Sequence, residues 1–277
     1  MSEIAPVILA VLLWWFGTGL VLALDSLPQR TFRWSMLAAT VLLVAALYGL
    51  FLTASDPTPR GAYLAFTFGL IVWAWLELGF LTGTVTGPRK SPCPAGCSGP
   101  AHFGHAVQAI LYHELAIILA AGAIAALTWN APNRVGLATF AILWVMRQSA
   151  KLNLHFGVPN LSDGLLPEHL AYLKSFFRRR PMNLLFPVSI TAATTLTAML
   201  VQRALDAPPG SFEWTAYALL AALSGLAVLE HWLLVLPLPV EALWAWGTSR
   251  RESRSRPSTR DHAPLESAAV RSAGDLS

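Results

Sequence analysis

Several ionisable or imidazole side chains of this sequence sit inside or against long apolar runs, among them Glu77, His105, His113, Glu114, Arg147, Glu230 and His231. The densest group lies in Phe103–Ile118, FGHAVQAILYHELAII, which places His105, His113 and Glu114 just ahead of a stretch, Leu115–Asn133, with no charge and no histidine. A carboxylate held ionised in the membrane interior costs about 2.5–3.5 kcal/mol on insertion scales, and such residues face protein or water. Glu114 therefore needs a partner. Imidazoles and carboxylates together can ligate iron, zinc or the central metal of a tetrapyrrole, the glutamates completing or orienting the shell. The same groups can instead form an ion-pair and hydrogen-bond network between helices, or a proton path. The spacing is not that of a carboxylate-bridged di-iron bundle, because no Glu-x-x-His occurs. His113 and Glu114 point about 100° apart on a helix and His105 and His113 about 80° apart, so one metal between them is awkward.

A second donor set follows another logic. Cys93 and Cys97, the two cysteines of the chain, precede His102 and His105 in the pattern C-x3-C-x4-H-x2-H. These types suit tetrahedral zinc, while the Pro and Gly residues around them equally suit a plain tight turn carrying free thiols. A reducing cytoplasm would argue against a structural disulfide.

Hydrophobic helices must position these groups. The 277 residues are 55% hydrophobic and 12% charged, about half the charge of an average soluble domain. Eleven tryptophans fit interfacial aromatic belts. A bilayer core needs about 20 apolar residues, and seven runs qualify: Ile4–Leu24, Trp34–Ala54, Ala62–Thr84, Phe103–Trp129, Val135–His155, Met182–Val201 and Trp214–Leu236. The first lacks a basic n-region and is too long for a signal-peptide core, so it is expected to be a span. Sixteen of the nineteen Lys and Arg residues fall in the loops after the first, third and fifth spans, in the flanks of those loops or in the C-terminal tail; only Arg60, Arg134 and Arg203 fall on the other side. The positive-inside rule then puts the N-terminus outside and the C-terminus in the cytoplasm. The expected fold is all-α, a polytopic bundle over residues 1–249. In it Glu77, His105, His113, Glu114, Arg147, Glu230 and His231, from four helices, converge on one pocket in the cytoplasmic half.

Three cytoplasmic segments stand out. Thr86–Gly99, TGPRKSPCPAGCSG, is a Pro/Gly loop. Leu165–Arg180, LLPEHLAYLKSFFRRR, reads as a short interfacial helix between the fifth and sixth spans. Its Leu170, Leu173, Phe176 and Phe177 recur at helical spacing, and Pro181 follows its basic last turn. Lys174, Arg178, Arg179 and Arg180 would face anionic headgroups or a docked partner. Residues 250–277 are Ser/Arg-rich without an apolar face, and are expected to be a disordered tail.

No phosphate-binding lysine loop, dinucleotide fingerprint, G-x-S-x-G or H-E-x-x-H occurs, and no repeat of the secondary-transporter kind is visible. Several blocks taken together do carry a family likeness: LPQRTFRWSMLAATVLLVAALYGL, TGPRKSPCPAGC, FGHAVQAILYHELA, SAKLNLHFGVPNL, HLAYLKSFFRRRPMNLLFPVS and LEHWLLVLPLP. In order over most of Leu27–Pro239, they resemble the photosynthetic complex assembly protein 2 family, PuhE type, of anoxygenic phototrophic bacteria. The resemblance implies a multi-pass protein of the bacterial cytoplasmic (inner) membrane that influences photosynthetic complex assembly or bacteriochlorophyll production; it supplies no catalytic residues. The expectation is an assembly factor acting by binding rather than turnover. Its expected partners are reaction-centre or light-harvesting subunits, other assembly factors, or bacteriochlorophyll or a precursor, with no nucleic acid. The alternative is a metalloprotein or pigment-handling enzyme of tetrapyrrole metabolism, with a tetrapyrrole or iron in the Glu/His pocket.

Overall fold

The computed structural model describes residues 4–161 and 163–248; the tail expected over 250–277 lies outside them. Seven α-helices dominate: α1 Ala5–Asp25, α2 Phe32–Thr53, α3 Pro59–Leu81, α4 Gly99–Leu127, α5 Val135–Phe156, α6 Leu185–Asp206 and α7 Phe212–Leu233. No strand occurs among the described residues; the one extended pairing is an isolated parallel bridge between Val158 and Arg179. Proline in the first turn of α1, α3 and α4 fits positions whose N–H has no helical acceptor. Thr58 Oγ1 caps α3 by accepting from Gly61 N–H at 3.1 Å, and Ser211 Oγ caps α7 by accepting from Trp214 N–H at 3.1 Å.

Six of the seven helices, all but α5, are long and apolar enough to cross a membrane. α5 matches α2 in length, 22 residues each, so it falls short in composition and not in reach. Its second half carries Arg147, Gln148, Lys151 and Asn153. The helix bounds lie within about five residues of those read from hydropathy, because a 30 Å hydrocarbon layer sets run length.

α3 and α7 form the centre: 44% of the spanning window of each is buried, against 17% for α1 and α4 and 11% for α6. Phe66, Val72 and Leu76 of α3 meet Ile117 and Ile124 of α4, Phe140 of α5, and Leu219 and Leu223 of α7 in one cluster. Outer faces stay apolar, as with Val41, Leu42, Val44 and Tyr48 of α2, which suits lipid contact. Lipid tails are as apolar as these side chains, so helix association rests on close packing and polar contacts. At the α3–α5 crossing a Cβ on Gly69 would stand 2.9 Å from the Gly136 carbonyl oxygen, and one on Gly136 would stand 2.9 Å from that of Ala65. Two glycines are what let these backbones touch.

Two segments depart from expectation. Leu165–Arg180 is not one α-helix: a 3-10 helix covers Glu168–Phe176 and the arginines follow it in extended form. Leu170, Leu173 and Phe176, spaced by three, all face inward and are buried, which a three-residue turn achieves better than a 3.6-residue one. The backbone of 178–180 is instead engaged by the end of α5, where Arg178 N–H donates to Leu154 O at 3.0 Å and Val158 N–H donates to Arg178 O at 3.1 Å. The seventh apolar run also breaks early. α7 stops at Leu233, and Asn160 Nδ2 ties down the following turn by donating to Leu233 O at 2.9 Å and to Leu236 and Leu238 O at 3.2 Å. The chain then returns along α1 as the 3-10 turn Val240–Trp244. Trp15 Nε1 donates to Leu243 O at 3.0 Å and Trp244 Nε1 to Trp15 O at 3.2 Å.

Candidate functional site

The half-buried charges of α3, α4 and α5 are arranged in pairs. α3 lies between α4, α5 and α7, and its Glu77 Oε2 accepts from Arg147 Nη2 of α5 at 2.7 Å. One turn further along α5, Lys151 Nζ lies 2.6 Å from Glu114 Oε1 of α4, and Gln148 Nε2 donates to Glu114 Oε2. Arg147 and Gln148 stand four and three residues before Lys151, so each neighbours it on the helix surface, one on the α3 side and one on the α4 side. Glu230 of α7 turns elsewhere and accepts from Trp14 Nε1 of α1 at 2.7 Å. Glu114 and Glu230 thus do not share a direct partner. Trp14 and Gln148 are contributors that the run-by-run reading missed, although an indole N–H in mid-span needs an acceptor and so gives a signal.

His231 and His113 have opposite fates. His231 is 1% exposed, with Nδ1 2.9 Å from Ala227 O and Nε2 2.9 Å from Ser149 Oγ. A carbonyl only accepts, so Nδ1 carries the proton and Nε2 accepts from the Ser149 hydroxyl. That is a satisfied core histidine. His113 is equally buried, its ring 4.7 Å from that of Phe80, but its Nδ1 has no hydrogen-bond partner. Glu77 Oε1 and Arg147 Nε are also buried without one. Among the described residues, this Glu/His set does not bring three ligand atoms within metal-binding reach of one another.

The loop after α3 reaches into α4 at this level. Thr86 O accepts the His113 N–H at 2.9 Å, and Arg89 N–H donates to Gln108 O at 3.5 Å. Gly87 lies so close that a Cβ would stand 2.6 Å from the Ala109 carbonyl carbon. Only glycine fits against the helix there.

His105 joins a different cluster. It lies eight residues before His113, about 12 Å along the helix axis, and its Nδ1 is 3.5 Å from Cys93 Sγ and 3.3 Å from Cys97 Sγ. His102, one turn earlier on the same face, has Nδ1 3.3 Å from Cys93 Sγ. Ligand atoms of Cys93, Cys97 and His102 lie within 4.8 Å of one another. Both thiols are free. The loop is shaped for this: Cys97 N–H donates to Pro94 O at 3.1 Å with Gly96 at φ +77°, a turn glycine favours. Cys93 N–H donates to Ser175 Oγ at 3.0 Å, and Arg89 Nη2 donates to Pro92 O at 2.8 Å. Desolvation, reinforced by Cys97 through a hydrogen bond and charge, pushes the Cys93 thiol above its ordinary value, while Arg89 pulls it down. The His102 ring stacks on His155 at 5.1 Å and lies 5.7 Å from Phe176.

The basic segment is half-presented: Lys174, Arg179 and Arg180 are exposed and Arg178 partly so. Arg180 also covers Gly157, which sits at φ +119°.

Described residues whose regular elements are all helical, with six helices long and apolar enough to cross a membrane, charge pairs between helices and a Cys/His cluster at the foot of α4, define an integral membrane protein of the multi-pass class. It belongs to the family described as "Protein of unknown function (DUF3623)", which matches residues 1–255. A relative, described as an uncharacterized 30.4 kDa protein in the puhA 5'region of Rhodobacter capsulatus, is 41% identical over 240 residues, 85% of this chain and 87% of that protein. No solved structure matches the chain.

Proposed function

We propose that this protein is an inner-membrane factor for biogenesis of photosynthetic reaction-centre and light-harvesting complexes, of the PuhE type, acting by binding partners or pigment rather than by turnover. The observation that carries this reading is the 41% identity, over most of both chains, to a protein in the puhA photosynthesis gene region. The paired state of Glu77, Glu114 and Glu230 supports a scaffold, since each of them already meets a donor. Seven spans belong to the same reading. Arg147 and Lys151 each find a carboxylate on a neighbouring helix, which lowers the cost of carrying them across the membrane in α5. The sixteen-to-three bias of Lys and Arg then places the N-terminus outside and the 86–99 and 157–181 loops in the cytoplasm.

The test is deletion of the gene in its phototrophic host, with membrane absorption spectra and subunit immunoblots. Loss of assembled complexes, restored by the full chain, is expected; wild-type levels of complexes in the deletion strain would refute the proposal. For orientation, a fluorescent-protein fusion after Thr248 should fluoresce and an alkaline phosphatase fusion between α2 and α3 should be active. The reverse pattern would overturn it.

A second reading, handling of a tetrapyrrole pigment, rests on His113, whose buried Nδ1 lacks a partner. It requires pigment to copurify in proportion to protein, and to be lost in His113→Ala while the protein still accumulates.

A further inference from the structure

The geometry points to a zinc site at the foot of α4, with Cys93, Cys97, His102 and His105 as its four ligands. In a tetrahedral centre with Zn–S about 2.3 Å and Zn–N about 2.0–2.1 Å, each sulfur-to-nitrogen edge measures roughly 3.5 Å. Three such edges are present: 3.5 and 3.3 Å from His105 Nδ1 to the two sulfurs, and 3.3 Å from His102 Nδ1 to Cys93. The ligand atoms of Cys93, Cys97 and His102 all fall within 4.8 Å of one another; His105 meets both sulfurs but stands farther from His102, so closing the tetrahedron needs its ring to swing towards His102.

Two independent pieces of chain build the site. His102 and His105 stand three apart on the first turns of α4, one above the other. The cysteines come from the loop, turned by Gly96 and moored by Ser175 and Pro92. Both imidazoles present Nδ1 towards sulfur, so ligation needs the proton on Nε2. Binding releases the two thiol protons, and two thiolates on a divalent ion leave no net charge, which suits a site beside a membrane. Each thiolate meets an imidazole edge at 3.3 Å, the interleaving of a mononuclear centre. In a two-iron cluster of the same residue types, the cysteines and histidines hold different irons. Four protein ligands close the shell, as structural zinc sites do. The ion would fasten the 86–98 loop to α4, and through Cys93 and Ser175 to the 3-10 helix 168–176.

The test uses the full chain purified in detergent. Elemental analysis should find about one zinc per chain, lost in Cys93→Ser/Cys97→Ser and in His102→Ala/His105→Ala. Cys93 and Cys97 are the two cysteines of the sequence, so maleimide labelling of the unmutated protein reports on this site alone and does not depend on a variant folding. Both thiols should react at least about tenfold faster after a zinc chelator, because the bound thiolate is withheld from the reagent. Cobalt added to the chelated protein should give thiolate charge-transfer absorption. A folded, zinc-free protein whose thiols react equally fast with and without chelator would overturn the site. So would a stoichiometric iron–sulfur chromophore in place of zinc.

Discussion

Glu114 and Lys151 offer the sharpest energetic test of the polar core. Their atoms stand 2.6 Å apart and each side chain is 19% exposed. At an effective dielectric of about 20 the gross attraction is roughly 6 kcal/mol, offset by several kcal/mol of desolvation for each ion. Removing one partner alone strands the other, a loss of about 3–5 kcal/mol, whereas neutralising both together is close to neutral. Glu114→Gln leaves a buried ammonium facing an amide, so the substitution should cost about 3 kcal/mol even though hydrogen bonding to Gln148 survives. Lys151→Met should cost a similar amount, and the double variant clearly less than the two added together. For a chain of this size about 3 kcal/mol corresponds to roughly 6–12 °C in Tm. The assay is apparent Tm in one detergent at one scan rate, because membrane-protein unfolding is commonly irreversible and only differences compare. Additive single losses, or a Glu114→Gln protein as stable as wild type, would show that the pair is not coupled and refute the reasoning.

Gly87→Ala should destabilise the protein by about 1–3 kcal/mol through overpacking, since the new Cβ meets the carbonyls of Gln108 and Ala109; an unchanged Tm would mean the loop does not touch α4. Changing Arg178, Arg179 and Arg180 together to Gln should weaken partner or anionic-membrane association in a salt-dependent way, because exposed charges are screened beyond about 10 Å at 0.1 M salt. Copurification that is insensitive to both the substitution and salt would rule out a charge-based docking role.

The number and approximate limits of the seven helices, and the helix carrying each buried charge, were legible in the residues alone. Run length is set by the bilayer, and a charge in an apolar run is visible without a fold. Which groups meet was not, because partner choice depends on how helices rotate about their axes. That rotation gave Glu114 to Lys151 and Gln148, and turned Glu230 to Trp14 on α1, about 216 residues away in the chain. It also left His231 with Ser149. The basic segment misled for a local reason: spacing of three and of four residues overlap over one turn, and only packing of Leu170, Leu173 and Phe176 against α3 and α4 selected the 3-10 form. The Cys/His pattern was in plain view as four donors in thirteen residues, yet a loop can aim its cysteines anywhere. Folding decided it, by bending the loop at Gly96, mooring Cys93 to Ser175 and bringing both sulfurs to one face of α4.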